Sequence, residues 1–233
     1  QLVVSGSIYA GGNLASVGLS SSSTSTAFVY LATGQVHNVY GGARMAPIFG
    51  DHGIEFTSAN TQVQGMDITS TIKINGDVYA SNDIANLTSQ ATAFNGSVTV
   101  GGNPEITGNI FGGGNGDYDY RTTQDGVEVW TNEANPKFVA TLCSDYGKPV
   151  VNTGAVTVAM GSAGFITGNV YGGGNAADVL TSTHVTITSG NLAHNNELGS
   201  VYGGCNKSNV GTYGTDGTLA TGTGTTLVDI NNG

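Results

Sequence analysis

Gly168-Asn169-Val170-Tyr171-Gly172-Gly173-Gly174-Asn175 is the stretch on which the fold turns, because five variants of it recur along the chain. They are Gly6-Ser-Ile-Tyr-Ala-Gly-Gly-Asn13, His37-Asn-Val-Tyr-Gly-Gly-Ala-Arg44, Gly76-Asp-Val-Tyr-Ala-Ser-Asn-Asp83, Gly108-Asn-Ile-Phe-Gly-Gly-Gly-Asn115 and Gly199-Ser-Val-Tyr-Gly-Gly-Cys-Asn206. The aromatics Tyr9, Tyr40, Tyr79, Phe111, Tyr171 and Tyr202 are spaced 31, 39, 32, 60 and 31 residues apart. A fixed period near 31 with one doubled interval marks a repeat architecture in which each unit leans on its neighbours.

Working outward from the phrase, short alternating runs precede most copies: Leu2-x-Val4, Phe28-x-Tyr30, Ile72-x-Ile74, Val98-x-Val100, Val156-x-Val158 and Val185-x-Ile187. Alternation at period two is the pattern of a strand with one face buried. A third apolar position follows the glycines at Val17, Ile48, Leu87, Val179 and Val210. Each unit therefore reads as two or three short strands joined by glycine corners. A single unit cannot bury its apolar face alone, whereas stacked copies form a continuous core. The expectation is an all-β chain, one repeat domain over 1–233, built as a β-solenoid of stacked, cross-β-like β-arches. With strands about 4.8 Å apart, the rod is roughly 30 Å tall if each repeat is one coil and twice that if it is two.

Stacking puts like residues above like. Tyr9, Tyr40, Tyr79, Phe111, Tyr171 and Tyr202 then form a ladder of rings, each contact adding about 0.5–1.5 kcal/mol beyond burial. The closing asparagines Asn13, Asn115, Asn175 and Asn206 have two readings, an amide ladder along the stack or residues tolerating a left-handed turn. Arg44 and Asp83 break that pattern.

From Asp117 to Val150 the pattern lapses, and this stretch holds Arg121, Lys137 and Lys148, half of the six basic residues. It reads as an irregular insertion at about 117–150, or as a degenerate coil with Val127-x-Val129 as its strand. Residues 18–26, 49–67 and 211–224 read as loops at coil corners. The chain starts at Gln1 without a signal-peptide profile, which implies a removed leader or a segment of a longer protein. Both ends match the interior repeats with no cap. Open coils expose unpaired backbone, so the expectation is stacking on a neighbouring copy or continuation into more chain.

Composition narrows the function classes. Six basic against 16 acidic residues give a formal charge of −10, with no basic cluster to neutralise phosphates, which excludes a nucleic-acid groove. Apolar runs are far too short for a membrane span. Only 9% of residues are charged, and Thr, Ser, Gly and Asn abound, which with sequons at Asn86, Asn95 and Asn206 fits an extracellular or cell-surface location. His37, His52, His184 and His194 are scattered, with no metal-ligand spacing; no nucleophile elbow is present, and the glycine runs lack the Lys-Ser/Thr of a phosphate loop. The chain is expected not to be an enzyme and to need no cofactor. The one calcium candidate is the oxygen set of Asn115, Asp117 and Asp119. Cys143 and Cys205 are disulfide candidates, within one chain or between neighbours, with a free pair as the alternative.

The phrase at 168–176 with Thr-x-Val-x-Ile-x-x-Gly at 183–190 resembles the repeats of large Gly-rich β-solenoid surface proteins of gut bacteria and other anaerobes. The resemblance covers most of the chain outside the insertion, and it implies an exported, adhesin-like surface role without implying an activity. Composition and open-ended stacking are also similar to those of the amyloid-like proteins that build tubular sheaths around some filamentous methanogenic archaea. Three functions follow. The first is a structural subunit of a self-assembling extracellular layer, sheath or fibre whose partners are copies of itself. The second is an adhesin binding surface glycans through Trp130, Tyr118, Tyr120 and Tyr146 of the insertion. The third is a pectate-lyase-like polysaccharide-degrading enzyme, which needs a cluster of Asp, Lys or Arg that these Thr-, Asn- and Gly-rich faces lack.

Overall fold

Five of the six repeats of the sequence supply one strand to each of three parallel sheets in a computed structural model of the chain, and the sixth supplies one to the second and one to the third. The structure describes residues 2–13, 15–18, 25–44, 48, 50–56, 72–84, 94–117, 121–130, 149–194, 197–214 and 216–231. The first sheet stacks Val3–Val4, Gly34–Val36, Ile72–Ile74, Glu105–Ile106 and Phe165–Ile166. The second stacks the centres of the six phrases, Ile8–Tyr9, Val39–Tyr40, Val78–Tyr79, Ile110–Phe111, Val170–Tyr171 and Val201–Tyr202. The third stacks Ala27–Leu31, His52–Phe56, Gly96–Gly102, Val151–Met160, Val179–Ser189 and Thr225–Ile230. The chain visits them in that order, so one pass through all three is a circuit, and each repeat is one circuit. The described residues form an all-β structure without helix, consistent with a β-solenoid-like fold.

Strict register places like residues in columns. Val39 pairs with Val78, Val78 with Ile110, Ile110 with Val170 and Val170 with Val201. The inward columns are β-branched and close one core: Val36, Ile74, Ile106 and Ile166 from the first sheet, Val39, Val78, Ile110 and Val170 from the second, and Val29, Ile54, Val98, Val156 and Val185 from the third. Each is at most 9% exposed, worth about 1.5–3 kcal/mol of apolar burial per side chain. Parallel strands need both faces covered. The second sheet meets this with a separate cluster on its other face, made of Tyr40, Tyr79, Phe111 and Tyr171 with Tyr9 packed against it.

Several expectations change. The alternating runs belong to two sheets: Leu2-x-Val4 and Ile72-x-Ile74 lie along the first, the others in the third. Phe28-x-Tyr30 is out of step by one residue. Ala27, Val29 and Leu31 face the core, while Phe28 and Tyr30 are exposed. Within 49–67, expected as a loop, His52–Phe56 is a strand of the third sheet. The sixty-residue interval hides no extra circuit, because Ile110–Phe111 pairs directly with Val170–Tyr171. Val127-x-Val129 lies in an antiparallel hairpin with Arg121–Gln124 instead. Val17 and Ile48, and Val179 and Val210, form parallel bridges; Leu87 lies outside the described residues.

Candidate functional site: the ladders of the second sheet

The phrase alternates an inward β-branched residue with an outward aromatic, and exact register then carries each ring onto the next. Successive centroids from Tyr9 through Tyr40, Tyr79, Phe111 and Tyr171 to Tyr202 are 4.6, 4.9, 4.8, 4.9 and 4.8 Å apart. Adjacent planes lie within 10° of parallel. The spacing is that of the strands themselves, so the backbone imposes the stack. Phe111 at its middle is 1% exposed and Tyr202 at its end 46%.

The closing position of the phrase forms a column of amides. Asn206 Nδ2 donates to Asn175 Oδ1 (2.9 Å), Asn175 to Asn115 (3.0 Å) and Asn115 to Asp83 Oδ1 (2.8 Å). None of these residues has a positive φ; Asp125, in the hairpin turn, is the sole non-glycine that does among the described residues. The amide ladder is thus the reason for asparagine here. Arg44 and Asp83 break the pattern together. An ionised carboxylate accepts only, so the column ends at Asp83, which also takes the Tyr9 hydroxyl at 3.2 Å and that of Tyr40. Arg44, one circuit earlier, donates to Asn13 Oδ1 at 3.1 Å. Burial pushes the Asp83 carboxyl above the usual range, partly offset by the Asn115, Tyr9 and Tyr40 hydrogen bonds and the Arg44 charge. Burial first, then the neighbouring Asp83 and Asp77 carboxylates, push the Tyr40 and Tyr79 phenols upward.

A second polar column went unrecognised in the sequence. Asn38 Oδ1 accepts the Asp77 N–H (2.8 Å), Asp77 Oδ1 that of Asn109 (2.7 Å), Asn109 Oδ1 that of Asn169 (2.9 Å) and Asn169 Oδ1 that of Ser200 (2.9 Å). Its signal was present: two residues before each aromatic stands Ser7, Asn38, Asp77, Asn109, Asn169 or Ser200, always short and polar. Asp77 Oδ2 also accepts the Tyr79 hydroxyl at 2.9 Å, tying this column to the rings.

The glycines let these columns close up. A Cβ on Gly112 would overlap the Gly172 carbonyl oxygen and lie 2.9 Å from the Ala155 nitrogen, so the third sheet passes against bare backbone there.

The remaining candidates do not converge. Both amide atoms of Asn115 are taken by its column, Asp117 Oδ2 accepts Lys207 Nζ, and Asp119 lies outside the described residues. The calcium set is therefore not gathered by the residues described. Cys205 is a free thiol, donating to the carbonyls of Ala177 (3.6 Å) and Asn209 (3.4 Å), with burial pushing its pKa up; Cys143 is outside the described residues. Of the sequons, Asn206 has its amide nitrogen in the ladder, Asn95 Oδ1 accepts Thr153 Oγ1 at 2.7 Å, and Asn86 is not described. The same holds for Tyr118, Tyr120 and Tyr146 and for the side chains of Trp130, His52 and His194. His37 is exposed. His184 Nε2 meets Asp229 Oδ2 at 2.8 Å and Thr186 Oγ1 at 3.2 Å. Both partners use one nitrogen, so the imidazole does not bridge them as in a nucleophilic relay, which needs both ring nitrogens.

No family model, curated protein or solved structure matches this chain. No described helix is long and apolar enough to cross a membrane.

Proposed function

We propose that the chain is a β-solenoid that serves as a structural subunit of an extracellular layer, sheath or fibre, assembling with copies of itself. The observation that carries this reading is the continuity of the ladders. The ring column and the backbone of the second and third sheets run from the first circuit to the sixth, and the amide column from the third to the sixth. Leu2 and Val3 are exposed at one end, and Tyr202, Leu227, Val228 and Ile230 at the other. In this reading the chain performs no catalysis; its polar side chains are occupied in holding register.

Electron microscopy with fibre diffraction tests it. Ordered filaments or tubes with a meridional spacing of about 4.8 Å are expected, and a monodisperse monomer at high concentration and high salt overturns it. Because each subunit carries a formal charge of −10, mutual repulsion opposes assembly and salt screens it. Assembly is therefore expected to strengthen with ionic strength, at lower pH and with divalent cations.

A further inference from the structure

We infer that Tyr9, Tyr40 and Tyr79, with the carboxylates of Asp77 and Asp83, form a buried one-electron donor site, each carboxylate taking a phenolic proton as an external oxidant takes the electron. The composition of the third circuit points to it. In the two polar columns beside the rings asparagine serves elsewhere: Asn38, Asn109 and Asn169 accept backbone N–H groups in one, and Asn175 and Asn115 pass amide bonds along the other. The two carboxylates of these columns, Asp77 and Asp83, both stand in the third circuit. Asp83 is 2% exposed, and burying a carboxylate is costly where a neutral amide holds the same column. Both carboxylates are oriented alike. Asp83 Oδ1 accepts Asn115 Nδ2 (2.8 Å) and its Oδ2 the Tyr9 hydroxyl (3.2 Å), and the Tyr40 hydroxyl bonds to the same carboxylate. Asp77 Oδ1 accepts the N–H and Nδ2 of Asn109 (2.7 and 3.1 Å), and its Oδ2 the Tyr79 hydroxyl (2.9 Å). In each, the polar column fixes one oxygen and a phenol faces the other. Past this circuit the pairing stops: Phe111 has no hydroxyl, and the Tyr171 oxygen receives Asn169 Nδ2 at 3.4 Å.

Burial dictates the chemistry. Tyr40 and Tyr79 are 3% exposed, and burial holds their phenols protonated. Losing an electron alone would leave an unpaired positive charge in the interior, at heavy cost. With a carboxylate in hydrogen-bond contact, the phenol O–H bond breaks as the electron departs and the proton passes to Asp Oδ2. The products are a neutral phenoxyl radical and a neutral carboxylic acid, which now donates its hydrogen bond back to the phenoxyl oxygen. The electron reduces a one-electron oxidant, an oxygen-centred radical or a high-valent metal complex; one-electron reduction of the phenoxyl returns the proton. Ring centroids 4.6 Å apart from Tyr9 to Tyr40 and 4.9 Å from Tyr40 to Tyr79, in nearly parallel planes, let the three phenols share the radical. The capacity is one oxidising equivalent per carboxylate.

The test uses the full chain at low ionic strength with photogenerated tris(bipyridine)ruthenium(III) as the oxidant, read by flash photolysis and high-field electron paramagnetic resonance. The expected product is a long-lived tyrosyl radical that accepts a hydrogen bond from a carboxyl group and forms with a solvent deuterium isotope effect. Changing Tyr9, Tyr40 and Tyr79 together to Phe keeps every ring, as Phe111 does, and is expected to remove this radical. Tyr30→Phe with Tyr213→Phe, at two exposed positions, is expected to leave it. Asp77→Asn with Asp83→Asn keeps the shape and removes the base, and is expected to slow formation about a hundredfold, with circular dichroism verifying the fold. A radical that survives the three Tyr→Phe changes, or that forms as fast in the Asn variant, overturns the proposal. So does a wild-type chain whose radicals all decay with those of the exposed tyrosines or carry no carboxyl hydrogen bond, a readout that needs no variant to fold.

Discussion

Replacing Phe111 by leucine isolates what the ring stack contributes. Phe111 is 1% exposed and lies between Tyr79 at 4.8 Å and Tyr171 at 4.9 Å, nearly parallel to both. Leucine keeps an apolar side chain of similar size and removes two ring contacts. At about 0.5–1.5 kcal/mol per contact, the loss is about 1–3 kcal/mol, whereas Phe111→Ala, which also leaves a cavity, costs about 3–5 kcal/mol. Tyr202 has one ring neighbour, Tyr171 at 4.8 Å, and is 46% exposed, so Tyr202→Leu loses one contact, about 0.5–1.5 kcal/mol at most. Urea unfolding at low ionic strength, where charge keeps chains apart, measures both by circular dichroism and tyrosine fluorescence. Coincidence of the two probes checks that the repeats unfold together, and a constant slope assigns the shift to stability. A Phe111→Leu variant within about 0.5 kcal/mol of wild type, or one less affected than Tyr202→Leu, refutes the ladder as a source of stability.

Other perturbations probe the columns beside the rings. Asn175→Ala strands the buried Asn115 acceptor, an expected loss of about 1–3 kcal/mol in the same titration, while the exposed Asn206 donor turns to water. Gly112→Ala forces the methyl into the Gly172 carbonyl and is expected to cost about 2 kcal/mol or more, whereas Gly6→Ala, with open space around it, stays within about 0.5 kcal/mol; equal effects contradict the packing argument. Asp83 gives a pH signature. Its carboxyl pKa is raised by burial in the native state, so the folded chain holds a proton that the unfolded chain, at about 3.9, has released. Its contribution therefore makes stability rise as pH falls from neutral into that window, and decline as pH rises through the native value. Asp83→Asn removes this dependence, and superimposable urea midpoints against pH for the two proteins would count against it.

The sequence by itself determined the six phrases, the strand at the centre of each and the ring stack, because a recurring phrase carries strong side chains at fixed positions; that each phrase is one circuit, with none added between Phe111 and Tyr171, was decided by the pairing of the strands. Parallel pairing in register then leaves those side chains one place to go. It left open whether the asparagines stack, and it merged two sheets into one. Glu105–Ile106 and Phe165–Ile166 are two-residue strands, too short for any alternation to register. Phe28 and Tyr30 read as core residues by hydrophobicity, yet a one-residue slip of a strand exchanges its faces, and neighbouring Val29 and Leu31 took the core instead. The meaning of Arg44 and Asp83 lay beyond the sequence for a related reason. As single departures from a repeat they look like noise. Only the stacking of the circuits brings Asp83 to the end of the amide column, beneath Asn115 and within reach of the Tyr9 and Tyr40 hydroxyls, while Arg44 takes up Asn13. Tertiary structure decided these roles because the partners are 31 to 74 residues away along the chain, a separation that strand spacing alone closes.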